Sequence, residues 1–261
     1  MRLTDADRKL ATATGLDEEV LLALRRHTRR KIERFHASTE DGTAPGPGVS
    51  IAVADGDEAE RLMNALDPDL RGSGCRTFWS ERVHPNGLKQ TDELAVVKTD
   101  DAYTPIRLRR TDGANYDIST DDIVARVREW ETISTFRIVG AAGSWVALQF
   151  ETLPEKLCTF AEDVYLFCPD TVTQGVGLLR ERDDPGRFAA ARALCPEISA
   201  RVRTRSDATL AQIEATDPEA ARQFRDLLRA ASALSHPDEA DGVRLLAEEL
   251  RRRKFLHLWW D

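Results

Sequence analysis

The chain has 261 residues, 41% of them apolar, 31% charged and 7% aromatic, with 37 basic and 45 acidic groups for a net charge of −8. A chain of this size buries about 70% of its unfolded surface, enough for one large core or two small ones, which excludes a disordered protein. Four cysteines are too few for a disulfide scaffold, no run of 18 apolar residues offers a membrane span, and Met1-Arg2-Leu3-Thr4-Asp5 lacks the apolar core of a signal peptide, so a cytoplasmic protein is expected.

Charge is unevenly spread. Residues 1–36 carry nine basic and six acidic groups, residues 37–179 a net −11, and residues 180–261 fifteen of each sign. A field of that sign repels nucleic acid and anionic lipid and favours a basic partner or plain solubility.

In chain order, Thr4-Asp5-Ala6-Asp7 opens a helix that stops at Gly15. Asp17-Glu18-Glu19 opens a second, in which Val20, Leu21, Leu24, Thr28, Ile32 and Phe35 keep helical spacing. On that helix Arg26, Arg30 and Arg34 follow at i, i+4 as a basic stripe, flanked by Arg25, Arg29 and Lys31. Residues 38–48 (STEDGTAPGPG) read as a linker. Val49, Ile51 and Val53 alternate as a strand, Glu58 to Leu66 is a helix, Cys75 to Val83 a strand, and Pro85-Asn86-Gly87 a turn.

Leu94 to Lys98 and Thr104 to Arg109 both read as strands, and Ser119-Thr120-Asp121-Asp122 caps a helix carrying Ile123, Val124, Val127 and Trp130. Phe136 to Val139 and Trp145 to Phe150 form two strands around Gly140-Ala141-Ala142-Gly143, and Pro154 starts a helix through Tyr165. Residues 180–250 suggest three or so helices, broken at Pro185-Gly186, Pro218 and His236-Pro237. Phe255 to Trp260 alternates with apolar groups on both faces, which predicts a strand inside a sheet. The sum is an α+β protein, a mixed sheet packed by helices. The segments expected are an N-terminal helical arm (1–37), an α/β core (48–179 plus 243–261) and a helical insertion before the last strand (180–242).

Several segments then carry a likeness. FCPDTVTQG (Phe167 to Gly175), FAEDVY (Phe160 to Tyr165) and the closing LWWD (Leu258 to Asp261) resemble the bacterial domain-of-unknown-function 4253 family, with RRTDGANYDISTDDIV (Arg109 to Val124) and VGAAGSWVALQF (Val139 to Phe150) fitting the same pattern. The resemblance covers roughly residues 94–179 and 243–261. It implies no activity, cofactor or catalytic residue. By analogy of type alone, such small acidic bacterial α/β proteins suggest immunity proteins that neutralise toxins.

The sharpest chemical candidate is Cys168-Pro169-Asp170 with Thr171 and Gln174. Asp170 could cap the next turn, and Cys168 could act as a nucleophile with His257 as its base. The bland reading is a buried, hydrophobe-like cysteine beside Phe167. Cys75, Cys158, Cys168 and Cys195 have no C-x-x-C spacing and the histidines (27, 36, 84, 236, 257) are scattered, so no metal and no cofactor is expected. Asp112, Asp117, Asp121, Asp122, Glu162 and Asp163 could serve acid–base chemistry, though Asp121-Asp122 is better explained by helix capping. The 140–143 glycines lack the Gly-Lys-Ser/Thr of a phosphate loop.

Arg107, Arg109 and Arg110 beside Asp112 could hold an anion, and Trp259 with Trp260 could form a recognition surface. The leading expectation is a non-catalytic protein-binding role, an immunity-type protein with a basic toxin or effector domain as partner. One alternative is a hydrolase using Cys168, Asp170 and His257. The other is weak nucleic-acid contact through Arg26, Arg30 and Arg34. No membrane association is expected.

Overall fold

The computed structural model describes residues 2–83, 90–203, 219, 222 and 239–260. The turn expected at Pro85-Asn86-Gly87, the breaks at Pro218 and His236-Pro237, the candidates His84 and His236, and Asp261 lie outside the described residues. By its contacts the chain forms two compact units: Met1–Glu129 with Arg137–Gln149, and Trp130–Phe136 with Phe150–Asp261. The class is α+β. Seven strands form one mixed sheet in the order β1-β2-β4-β3-β5-β6-β7. They are β1 (Ile32–Thr39), β2 (Gly42–Ala52), β3 (Cys75–Val83), β4 (Gln90–Lys98), β5 (Thr135–Ala141), β6 (Trp145–Thr152) and β7 (Phe255–Trp259).

In the first unit, α1 (Asp5–Thr14) starts at a capping box between Thr4 and Asp7 and ends at Gly15, whose φ of 70° is left-handed. Helix α2 (Glu18–His27) follows, burying Val20, Leu21, Ala23 and Leu24, and α3 (Gly56–Leu70) is capped by Asp55. These three helices share a core with Val49, Ile51, Leu94 and Val96 of β2 and β4. The opposite sheet face holds Phe35, Phe78, Ala95 and Val97, with Leu108 of α4 (Thr104–Arg109) against them. Strands β1–β2, β2–β4 and β3–β4 are antiparallel, whereas β3 runs parallel to β5.

Three expectations are corrected here. The second helix does not reach Phe35: Thr28 is already extended (φ −145°, ψ 146°), and Ile32 to Thr39 is strand β1. Of residues 38–48, read as a linker, Ser38 and Thr39 end β1, Glu40 and Asp41 turn the chain, and Gly42 to Gly48 begin β2, paired to β1 through Ala44 and Pro45. Thr104 to Arg109 is a helix, with Pro105 in its first turn, where proline's missing N–H costs nothing.

In the second unit, α6 (Leu157–Phe167) leads through Cys168-Pro169-Asp170 into a π-type turn (Thr171–Gly175) and a 3-10 turn (Val176–Leu178). Helices α7 (Pro185–Leu194), α8 (Ala200–Arg203) and α9 (Glu239–Arg253) follow. Strand β7 ends the sheet order instead of lying inside it. Leu256, Leu258 and Trp260 are buried, while on the alternate face Trp259 is 44% exposed.

Candidate functional site

The Cys168 motif sits where α6 ends. Cys168 has no exposed surface, and its thiol donates to the Trp259 carbonyl of β7 at 2.9 Å. The Thr171 hydroxyl lies 3.1 Å from the sulfur and 3.4 Å from the His257 carbonyl, its single proton shared between them. Asp170 is buried and accepts from the Thr173 hydroxyl at 3.3 Å; it makes no side-chain cap on the turn that follows. Burial pushes the Cys168 thiol up to about 11, so the thiolate that a nucleophile needs is absent at neutral pH. What the motif meets on β7 is backbone carbonyl. In this geometry the Cys168 thiol serves as a hydrogen-bond donor to β7.

Burial also lowers His257 to about 4. An unfolded histidine titrates near 6.5, so the folded state is penalised wherever the unfolded chain takes up the proton first. Stability due to this group is full above pH 6.5 and is lost as pH falls through 6.5 to about 4, by about 3 kcal/mol in total. Urea midpoints measured from pH 7.5 to 4 should fall in this window, and His257→Gln should flatten the fall. An unchanged slope in the variant would assign the acid limb to other groups.

The basic stripe is not formed. Arg26 is on α2 and pairs with Asp69 at 3.0 Å. Arg30, between α2 and β1, pairs with Glu58 and donates to the Ala52 carbonyl at 2.6 Å. Arg34, on β1, donates to the Gly46 carbonyl at 3.4 Å. Because the helix ends at His27, the i, i+4 relation among the three does not exist, and each guanidinium is already engaged.

Arg109 is equally unavailable as an anion site, being 3% exposed. Its guanidinium lies 4.4 Å over the Phe35 ring and donates to Glu93, to the Ser80 hydroxyl and to the His36 carbonyl. Glu93 also accepts from Arg82, which in turn reaches Glu33 and Ser50. These residues form a buried ionic cluster on the β1-β2-β4-β3 face that the sequence reading missed. Its trace was Glu93 abutting the apolar run Leu94 to Val97, an expensive place for a charge without a partner. Of the two terminal tryptophans only Trp259 is exposed; Trp260 is buried with its ring edge-on to Phe167.

One charged feature remains open. Asp112, Asp117, Asp121 and Asp122 are exposed and lie within eleven residues that contain no basic residue. Among the described residues none of the four forms an ion pair. The segment is held at its base by the Thr111 hydroxyl on the Ala142 carbonyl (2.7 Å) and the Asp112 amide on the Gly143 carbonyl (2.9 Å). A Gly113–Ile118 bridge closes it, and Asp117 takes a left-handed φ of 55°. Ser119 and Asp122 form a capping box, and the Ser119 hydrogen bonds hold the Asp122 carboxyl below its ordinary range. Four negative charges thus stand on this hydrogen-bonded turn and the first turn of the helix Thr120–Glu131 that follows, with Asn115 and Tyr116 between Asp112 and Asp117.

A family model described as "Domain of unknown function (DUF4253)" matches residues 93–261, which include both the Cys168 motif and the acidic turn. The chain belongs to the DUF4253 family. No curated protein and no solved structure matches it. The DUF4253 match begins at Glu93, the buried carboxylate of β4. Among the described residues no group of three His, Cys, Asp or Glu side chains is placed to hold a metal ion. Among the same residues no helix is long and apolar enough to cross a membrane.

Proposed function

We propose that this protein is a non-catalytic, cytoplasmic binding protein whose partner is a basic protein domain, in the manner of an immunity protein that neutralises a toxin or effector. The observation that carries this reading is the acidic turn Asp112–Asp122, with its four exposed carboxylates and no basic residue. Charges on a rigid scaffold bind with little ordering cost, and an uncompensated negative patch accelerates encounter with a positive one. Tyr116 supplies an amphipathic side chain of the kind that anchors interfaces.

The test is affinity capture from the source cell lysate by wild type and by Asp112→Asn/Asp117→Asn/Asp121→Asn. Asparagine tolerates the left-handed backbone at 117, and Asp122 is left in place to keep its cap. One stoichiometric basic protein is expected on the wild type at about 50 mM salt, weakened at about 300 mM and lost on the variant. Identical retention by both proteins, or no partner at either salt, would sink the reading.

A further inference from the structure

Cys158, in the first turn of α6, is disulfide-bonded to Cys195, the residue that closes α7, across a sequence separation of 37. Cys195 is fully buried, whereas Cys158 is partly exposed. Downstream of the bond, residues 195–202 lie as a strap: Ile198 and Val202 are buried, and α8 packs on both α6 and α9.

Polar ties besides the disulfide also hold the strap. The Ser199 amide donates to Glu162 on α6 at 2.9 Å, and Arg244 of α9 donates to the Cys195 carbonyl at 2.9 Å and the Pro196 carbonyl at 3.3 Å. By contrast, α7 is tied to α9 independently, through Arg187 to Glu248 and Arg192 to Asp241.

We propose that the Cys158–Cys195 disulfide is a redox latch that holds the 195–202 strap against α6. A dithiol reductant supplies the thiolate that attacks the Cys158 sulfur. The S–S bond breaks, Cys195 leaves as a thiolate and takes a proton, and a mixed disulfide forms on Cys158. The second thiol of the reductant then displaces Cys158 and closes its own disulfide, so two electrons and two protons reach the protein. Cys168 is not the resolving thiol: ten helical residues separate it from Cys158, about 15 Å, beyond the roughly 7 Å that a bridge allows. Opening the latch frees Ile198 and Val202 from the surface they cover while the α7–α9 ion pairs persist. In a reducing compartment such a bond responds to the thiol poise; in an oxidising one it stays closed.

The test uses the full chain. Thiol titration in denaturant should count two free thiols, Cys75 and Cys168, before reduction and four after treatment with dithiothreitol. Hydrogen exchange at neutral pH should then be at least tenfold faster in residues 195–203 and the first turn of α6 in the reduced protein, and unchanged in α9 and β7. Cys158→Ser/Cys195→Ser should reproduce the reduced pattern, and Cys75→Ser should not. Four thiols before reduction, unaltered strap protection, or faster exchange spread through α9 and β7 would each overturn the latch. If the double variant does not fold, the dithiothreitol-reduced wild type still decides.

Discussion

Arg109→Met should lower the unfolding free energy by about 3–5 kcal/mol, read as a fall in urea midpoint at unchanged slope. The guanidinium is sealed in the sheet face, where burial, with the nearby Arg82 charge, pushes it below its ordinary arginine value, and Glu93 opposes that push. Methionine fills part of the volume but leaves Glu93 with Arg82 as its remaining cationic partner, and removes the donors to Ser80 and the His36 carbonyl. A buried carboxylate stripped of one cation keeps its desolvation cost and loses most of the compensation. Two comparisons sharpen the result. Arg109→Met/Glu93→Met should cost less than the single change, because it removes both charges. Arg110→Met, at an exposed pair with Glu40, should cost about 0–1 kcal/mol. A single-variant loss under about 1 kcal/mol would mean that the cluster adds nothing beyond packing.

Gly48→Ala should cost about 3 kcal/mol, the upper end for one methyl forced into a packed site. A Cβ at Gly48 would overlap the Val96 carbonyl oxygen and lie 2.9 Å from the Val97 Cα. Both obstacles are backbone of the neighbouring strand, so β2 and β4 must separate along the stretch where Gly48 to Ala52 pair with Val97 to Glu93. Gly143→Ala is the control: nothing lies within 4 Å of its Cβ position and it should fall within about 0.5 kcal/mol of wild type. Equal stabilities for the two variants would show that β2 is not held as closely as described.

The same glycine explains why this part of the sheet was illegible. STEDGTAPGPG has the composition of a loop, yet Gly46 and Gly48 are there because Phe35 and the Val96 backbone press against them. Close approach and flexibility both select glycine, and a single sequence does not separate them. Strand β1 misled for a related reason. Ile32 and Phe35, three residues apart, point to opposite faces of β1, and both faces of the sheet are covered, so both side chains are interior. That spacing continues the helical pattern of α2, so periodicity extended the helix and built a basic stripe on it. Legible elements were those with their own local signals: the Thr4 box and Gly15 of α1, the Ser119 box of α5 (Thr120–Glu131) and the β5–β6 hairpin. The Arg109 cluster and the Cys158–Cys195 bond join residues 16 to 73 and 37 positions apart, and nothing local marks such pairings.

The contacts that Cys168 and Thr171 make with β7 have a consequence for the whole chain's solubility. A strand at the end of a sheet presents a row of unpaired carbonyls and amides, a template on which another chain can add a strand. Here the His257 and Trp259 carbonyls are met by a hydroxyl and a thiol of the same molecule, and the buried segment that carries them stands where an incoming strand would lie. The Cys168–Thr171 segment thus occupies two of the carbonyls that an added strand would need on β7.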